Sequence, residues 1–142
     1  MIIDTTGTHS KISLDEIRDA TEFFAKELMP RAWNRLYIDI SIEYLNKMHG
    51  VVDRLSRYEY QIVLSKRLGR KNTISTIAHE MVHVKQMIRG ELVMKSTLNK
   101  WNGKTFPTTY DYFNSPWEIE AYGREVGLTH KYLSSKNAKE KL

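Results

Sequence analysis

No cysteine occurs among the 142 residues, so disulfides and every thiolate-ligated metal site are excluded. Only three prolines are present, and no internal repeat or low-complexity stretch interrupts the chain. No apolar run approaches the roughly 18 residues that a membrane-spanning helix needs. The opening Met1-Ile2-Ile3-Asp4-Thr5-Thr6-Gly7 lacks the basic and apolar regions of a secretory signal. The expectation is a soluble, cytoplasmic protein with no membrane partner. What remains is ordinary for a globular domain, with 41% apolar and 27% charged residues, and the length suits one hydrophobic core. Lys and Arg exceed Asp and Glu by 22 to 17, a net charge of +5. Such an excess serves nucleic acid or simply a solvated surface; without a recognised nucleic-acid motif the second reading is preferred.

Ser13 and Glu16 form an S-x-x-E capping box. Leu14, Ile17, Thr21, Phe24 and Leu28 then recur on one helical face, and Pro30 ends the segment. Leu36, Ile38, Ile40 and Ile42 alternate with Tyr37, Asp39, Ser41 and Glu43, and Tyr58, Tyr60, Ile62 and Leu64 alternate with Glu59, Gln61, Val63 and Ser65. Both are period-two patterns of half-buried strands, expected to pair antiparallel across a turn or irregular loop around Lys47-Met48-His49-Gly50. The basic loop Lys66-Arg67-Leu68-Gly69-Arg70-Lys71 follows. Trp101-Asn102-Gly103-Lys104 carries the Asn-Gly signature of a tight hairpin. Ser115-Pro116-Trp117-Glu118 opens a last helix running to about Leu133. These elements predict a single α+β domain over residues 1–133, and a basic, frayed tail over 134–142.

His79-Glu80-Met81-Val82-His83 is an HExxH pentapeptide. Around it Ile74, Ile77, Ala78, Met81, Val82 and Ile88 follow helical spacing, with Asn72 or Thr73 as N-cap and Gly90 as stop. On a helix, residues four apart stack on one face. His79 and His83 therefore offer two imidazoles to one point, half of a tetrahedral zinc site. Glu80 lies where its carboxylate can take a proton from a metal-bound water.

A third protein ligand is needed. His9, His49 and His130 lie in a polar segment, a loop and a helix end, and read as surface histidines. Glu118 and Glu120 are the better candidates. With Ser115 as N-cap and Pro116 at N1, Glu118 falls at N3 and completes a second capping box. Glu120 has no such duty and shares its face with Gly123 and Gly127, whose missing side chains suggest close approach of another helix. Glu120 is accordingly the expected ligand.

HExxH followed by a Glu-Ala pair on a later helix resembles the gluzincin class of zinc metallopeptidases. The likeness is closest to small single-domain bacterial and phage zincin-like peptidases, some termed SprT-like. It rests on His79–His83, the Trp101-x-Gly103 hairpin and Pro116-Trp117-Glu118-Ile119-Glu120-Ala121, and spans about Asn72 to Gly127. It implies a zincin-like fold, a short sheet containing antiparallel strands packed on the HExxH helix. It also implies zinc held by His79, His83 and the Glu before Ala, Glu120. SprT-like proteases proper use a third His, which this chain lacks at that place.

The implied function is hydrolysis of peptide bonds in a peptide or protein substrate, with Zn2+ as cofactor and Glu80 as general base. Tyr110, Tyr112 and Tyr122 are candidate oxyanion stabilisers. The Tyr58–Ser65 strand is a candidate edge for an extended substrate. A non-catalytic zinc-binding protein, a nucleic-acid-associated protein and hydrolysis of another amide are the alternatives.

Overall fold

A computed structural model describes residues 1–140 of the chain. Strand β1 (Ile2–Thr6) leads to helix α1 (Leu14–Leu28), then β2 (Tyr37–Glu43), β3 (Gly50–Arg54) and β4 (Glu59–Ser65). Helix α2 (Arg70–Ile88) follows, then strands β5 (Leu92–Met94), β6 (Leu98–Trp101) and β7 (Lys104–Pro107), and helix α3 (Pro116–Glu140). The class is α+β, with two sheets. Among the described residues no helix is long and apolar enough to cross a membrane.

The four-stranded sheet has the order β1-β2-β4-β3. Its inward rows follow the alternation in the sequence, with Ile38 and Ile40 beside Tyr60, Ile62 and Leu64, all essentially inaccessible. The pairing direction does not follow the expectation. β2 and β4 are parallel, Ile40 opposite Ile62. The segment read as a loop contains β3, which returns antiparallel along β4, Val52 opposite Ile62. That return reverses the chain before β4 begins, so β4 runs with β2. It also makes β4 an interior strand and leaves β1 and β3 as the edges. Gly50 is required at the start of β3, because a Cβ there would lie 2.7 Å from Thr76 Cγ2 of α2.

α2 forms the centre of the core, with Ile74, Ile77, Ala78, Met81 and Val82 fully buried. It begins at Arg70 with Gly69 as cap, not at Asn72 or Thr73. Thr73 and Thr76 lie inside the helix, where their hydroxyls donate to the carbonyls of Gly69 and Asn72, at 2.8 Å each. The Arg70 guanidinium bonds Glu16 of α1, which seats this first turn. Gly90 takes φ +70° just past the helix, the left-handed stop that glycine adopts without strain.

β5, β6 and β7 form a separate antiparallel sheet. Asn102 and Gly103, both at positive φ, make the expected tight turn between β6 and β7. α3 runs to Glu140, beyond Leu133, so the expected frayed tail is helical as far as it is described. Lys141 and Leu142 lie outside the described residues.

α3 packs on α2 and α1, but not through its glycines. A Cβ at Gly123 or Gly127 would meet nothing within 4 Å. Ala121, completely buried, is the small residue on the inward face. Glycine in an open helical position only loosens the helix. Gly123→Ala and Gly127→Ala should therefore each raise stability by roughly 0.5–1 kcal/mol, seen as a higher denaturation midpoint. A fall at either position would restore the close-packing role.

Candidate metal centre

α2 presents His79 and His83 one turn apart, with ring centroids 5.0 Å from each other. Facing them is α3, and the side chain that reaches them is Glu118. His79 Nε2 stands 3.0 Å from Glu118 Oε1, and His83 Nε2 stands 3.2 Å from the same oxygen. The ligand atoms of His79, His83 and Glu118 all lie within 4.8 Å of one another, and all three residues are buried. This group could hold a metal ion: two imidazoles and one carboxylate are a recurrent three-ligand donor set.

The third member is thus Glu118 and not Glu120. The capping box that reserved Glu118 for the helix start does not form. The Ser115 hydroxyl donates instead to the Asp111 carbonyl at 2.9 Å, and the Glu118 carboxylate turns to the imidazoles. Glu120, two residues on, comes out on another side of α3. It accepts hydrogen bonds from Lys85 Nζ at 2.9 Å and Gln86 Nε2 at 2.9 Å, and pairs with Arg124 at 3.4 Å.

The outer nitrogens of both histidines are also engaged. His79 Nδ1 lies 3.5 Å from Glu125 Oε1, and Glu125 in turn accepts from Ser75 Oγ at 2.9 Å. His83 Nδ1 lies 2.8 Å from Gln86 Oε1. Metal-binding histidines are commonly oriented through the second nitrogen in this way. Sequence reasoning weighed Glu118 but passed over it for Glu120, and it did not single out Glu125 or Gln86. The signal for Glu125 was its spacing of seven from Glu118, which returns it to the same helical face.

Burial alone would lower the pKa of His79, but bonds to Glu118 and Glu125 overcome it and raise it to about 9. His83 is raised in the same way, burial opposed by Glu118. The Glu118 carboxylate is held down at about 2, its burial outweighed by the two imidazoles. Glu80 is raised, chiefly by burial, despite both histidines nearby. Its residue is only 6% exposed, it lines the cleft above the cluster, and no donor among the described residues bonds its carboxylate. A buried, unpartnered carboxylate facing an open cleft is an available proton acceptor.

The cleft has a volume of about 470 Å³. Its walls include β3, from Gly50 to Val52, and the aromatic side chains of Tyr112, Phe113 and Tyr122. Tyr122 packs edge-on against His79 at 4.5 Å, and its hydroxyl is 3.3 Å from that of Tyr112. The Tyr112 phenol is pushed upward, first by burial and then by Tyr122 and Glu118. Tyr110 is outside the cleft and packs on Phe106 at 5.0 Å. Of the other histidines, His9 accepts from the backbone N–H of Lys11, His130 is exposed on α3, and His49 lines the cleft rim without joining the cluster.

In the basic run Lys66–Lys71, whose last two residues open α2, both arginines are engaged within the fold. Arg67 donates to the carbonyls of Leu45 and Asn46, and Arg70 bonds Glu16. Compared with known proteins, the chain matches no family model, no curated protein and no solved structure.

Proposed function

We propose that this chain is a zinc-dependent metallopeptidase in which His79, His83 and Glu118 hold the metal and Glu80 is the general base. The observation that carries the reading is the convergence of the two Nε2 atoms and the Glu118 carboxylate beside the unpartnered Glu80. The mixed nitrogen and oxygen donor set suits zinc, and three protein ligands leave a position for water or substrate. Bound there, zinc supplies Lewis-acid polarisation of the scissile carbonyl and acidifies a water. Glu80 takes the proton of the attacking water and delivers it to the leaving amine nitrogen. Tyr112 and Tyr122 stand on the same cleft, with hydroxyls available to the carbonyl oxygen.

A peptide is the favoured substrate for two reasons. The free edge of β3 borders the cleft, where an extended chain can add as a strand; this role moves from β4, which is interior. Exposed Met48, Met94 and Phe113 also gather at the cleft, an apolar lining suited to side chains. The test is an unbiased peptide library offered to zinc-loaded protein, with and without chelator. Chelator-sensitive cleavage is expected. Stoichiometric zinc without cleavage would favour the non-catalytic zinc-binding alternative.

Proton linkage gives a second expectation. In the metal-free protein, the stabilisation from raising His79 is complete below its ordinary value of 6.5 and is lost as pH rises through about 9. That from Glu118 is complete above 4.5 and is lost as pH falls toward about 2. The metal-free cluster therefore contributes most between 4.5 and 6.5. Metal requires neutral imidazoles and releases their protons. The gain in Tm on adding zinc should grow from about pH 6 to about pH 8. A gain that is constant or shrinks over that interval would exclude the two histidines as the proton source.

A further inference from the structure

Below the metal centre a row of polar side chains runs through the contact between α2 and α3. Gln86 is completely inaccessible. Its Nε2 donates to the Trp117 carbonyl and to Glu120 Oε1, each at 2.9 Å. Glu120 is itself held by Lys85, whose side chain is 4% exposed and whose Nζ also lies 2.8 Å from Glu91 Oε1.

The consequence is chemical. Both amide protons of Gln86 point at acceptors, so the amide cannot turn over without setting its oxygen against two other oxygens. Gln86 Oε1 is thereby fixed as the atom facing His83 Nδ1, at 2.8 Å. An oxygen there accepts only from a protonated Nδ1, which leaves the lone pair of a neutral imidazole on Nε2, the nitrogen beside Glu118. Burying Lys85 with carboxylates is expensive and of little net value to stability, which invites a role beyond packing.

We propose that Lys85 and Glu120 are positioning residues: they lock the Gln86 amide, and the locked amide selects the His83 tautomer that offers Nε2 to the metal. The inference rests on the metal-centre reading above and assigns Glu120 a function in place of ligation. The order of control runs from Lys85 to Glu120 to Gln86 to His83, with no contact between Glu120 and the ligand atoms.

The test uses full-length protein loaded with zinc and labelled with 15N-histidine. Long-range 1H–15N correlation in wild type should show His83 ligated through Nε2, with a slowly exchanging Nδ1 proton. Gln86→Leu removes the acceptor and should weaken zinc affinity by about 10- to 100-fold, measured by chelator competition. The triple variant Lys85→Met/Glu91→Gln/Glu120→Leu removes the buried cation together with both carboxylates that pair with it. It should lose about tenfold in affinity and exchange the His83 Nδ1 proton faster. A network with only a structural role would shift Tm and leave both readouts at wild-type values, which would overturn the proposal. Ligation of wild-type His83 through Nδ1 would also overturn it, and needs no variant to fold. In either case zinc is still bound and the metallopeptidase reading stands. Wild type that binds no zinc would overturn both.

Discussion

Glu118→Ala is expected to yield a protein that no longer retains zinc, with affinity reduced by more than about 100-fold. Three candidate ligands converge, and removing Glu118 leaves two imidazoles on a single helix without the carboxylate that faces their Nε2 atoms. The substitution also deletes the group that does most to raise His79 and His83 against their burial. Glu125 and Gln86 remain on the outer nitrogens, so the pKa values of both rings should fall in the metal-free variant. Glu120→Ala is the contrasting case. Its carboxylate bonds Lys85 and Gln86, and its loss should lower zinc affinity only through Gln86, by about tenfold. Metal analysis of the two purified variants decides the matter. Zinc kept by Glu118→Ala and lost by Glu120→Ala would return the ligand role to Glu120.

That contrast shows what the sequence could and could not convey about the site. The pairing of His79 with His83 was legible because its geometry is local: helical spacing alone stacks the two imidazoles. Which carboxylate joins them depends on how α3 crosses α2, and no spacing encodes that. The capping argument used a sound local rule at the wrong place, since Ser115 spends its hydroxyl on Asp111 and leaves Glu118 free. A partial signal was present in Lys85. A lysine between Val84 and Gln86 in a buried helix requires an anion, and Glu120 is the carboxylate of α3 that supplies it. Which carboxylate supplies it is again set by the packing, since Glu91 pairs with Lys85 as well.

The fold was legible to a similar depth. Alternation at Leu36–Ile42 and Tyr58–Leu64 marks which side chains point inward, and all of these but the partly buried Tyr58 lie in the core. It says nothing of strand direction, because an alternating row buries equally well in either sense. Direction was decided by β3, whose Gly50-Val51-Val52-Asp53-Arg54 shows no clear period. β1 lies at an edge with three of its five residues exposed and none buried, so its core-facing pattern is weak. Gly123 and Gly127 suggested a close helix crossing, but they face open space. A glycine reports a possible approach and not an actual one.

Glu80→Gln should separate metal binding from chemistry. The substitution keeps the shape of a nearly inaccessible side chain and removes only its capacity to take a proton. No hydrogen bond to the carboxylate exists among the described residues, so none is broken. A charge whose burial raises its pKa is also removed from a costly environment. The variant should therefore bind zinc and melt near wild type, or slightly above it. Turnover should nevertheless fall by a factor on the order of 10² or more, the usual contribution of a positioned general base. The comparison is made on the peptide library, at equal zinc occupancy. Wild-type rates in the variant would remove Glu80 from the mechanism and with it the hydrolase reading. Loss of zinc together with activity would instead assign Glu80 to the metal centre as a structural residue. Because Glu80 is, among the described residues, the carboxylate at the cluster that no hydrogen bond holds, retention of zinc with loss of turnover is the result its position requires.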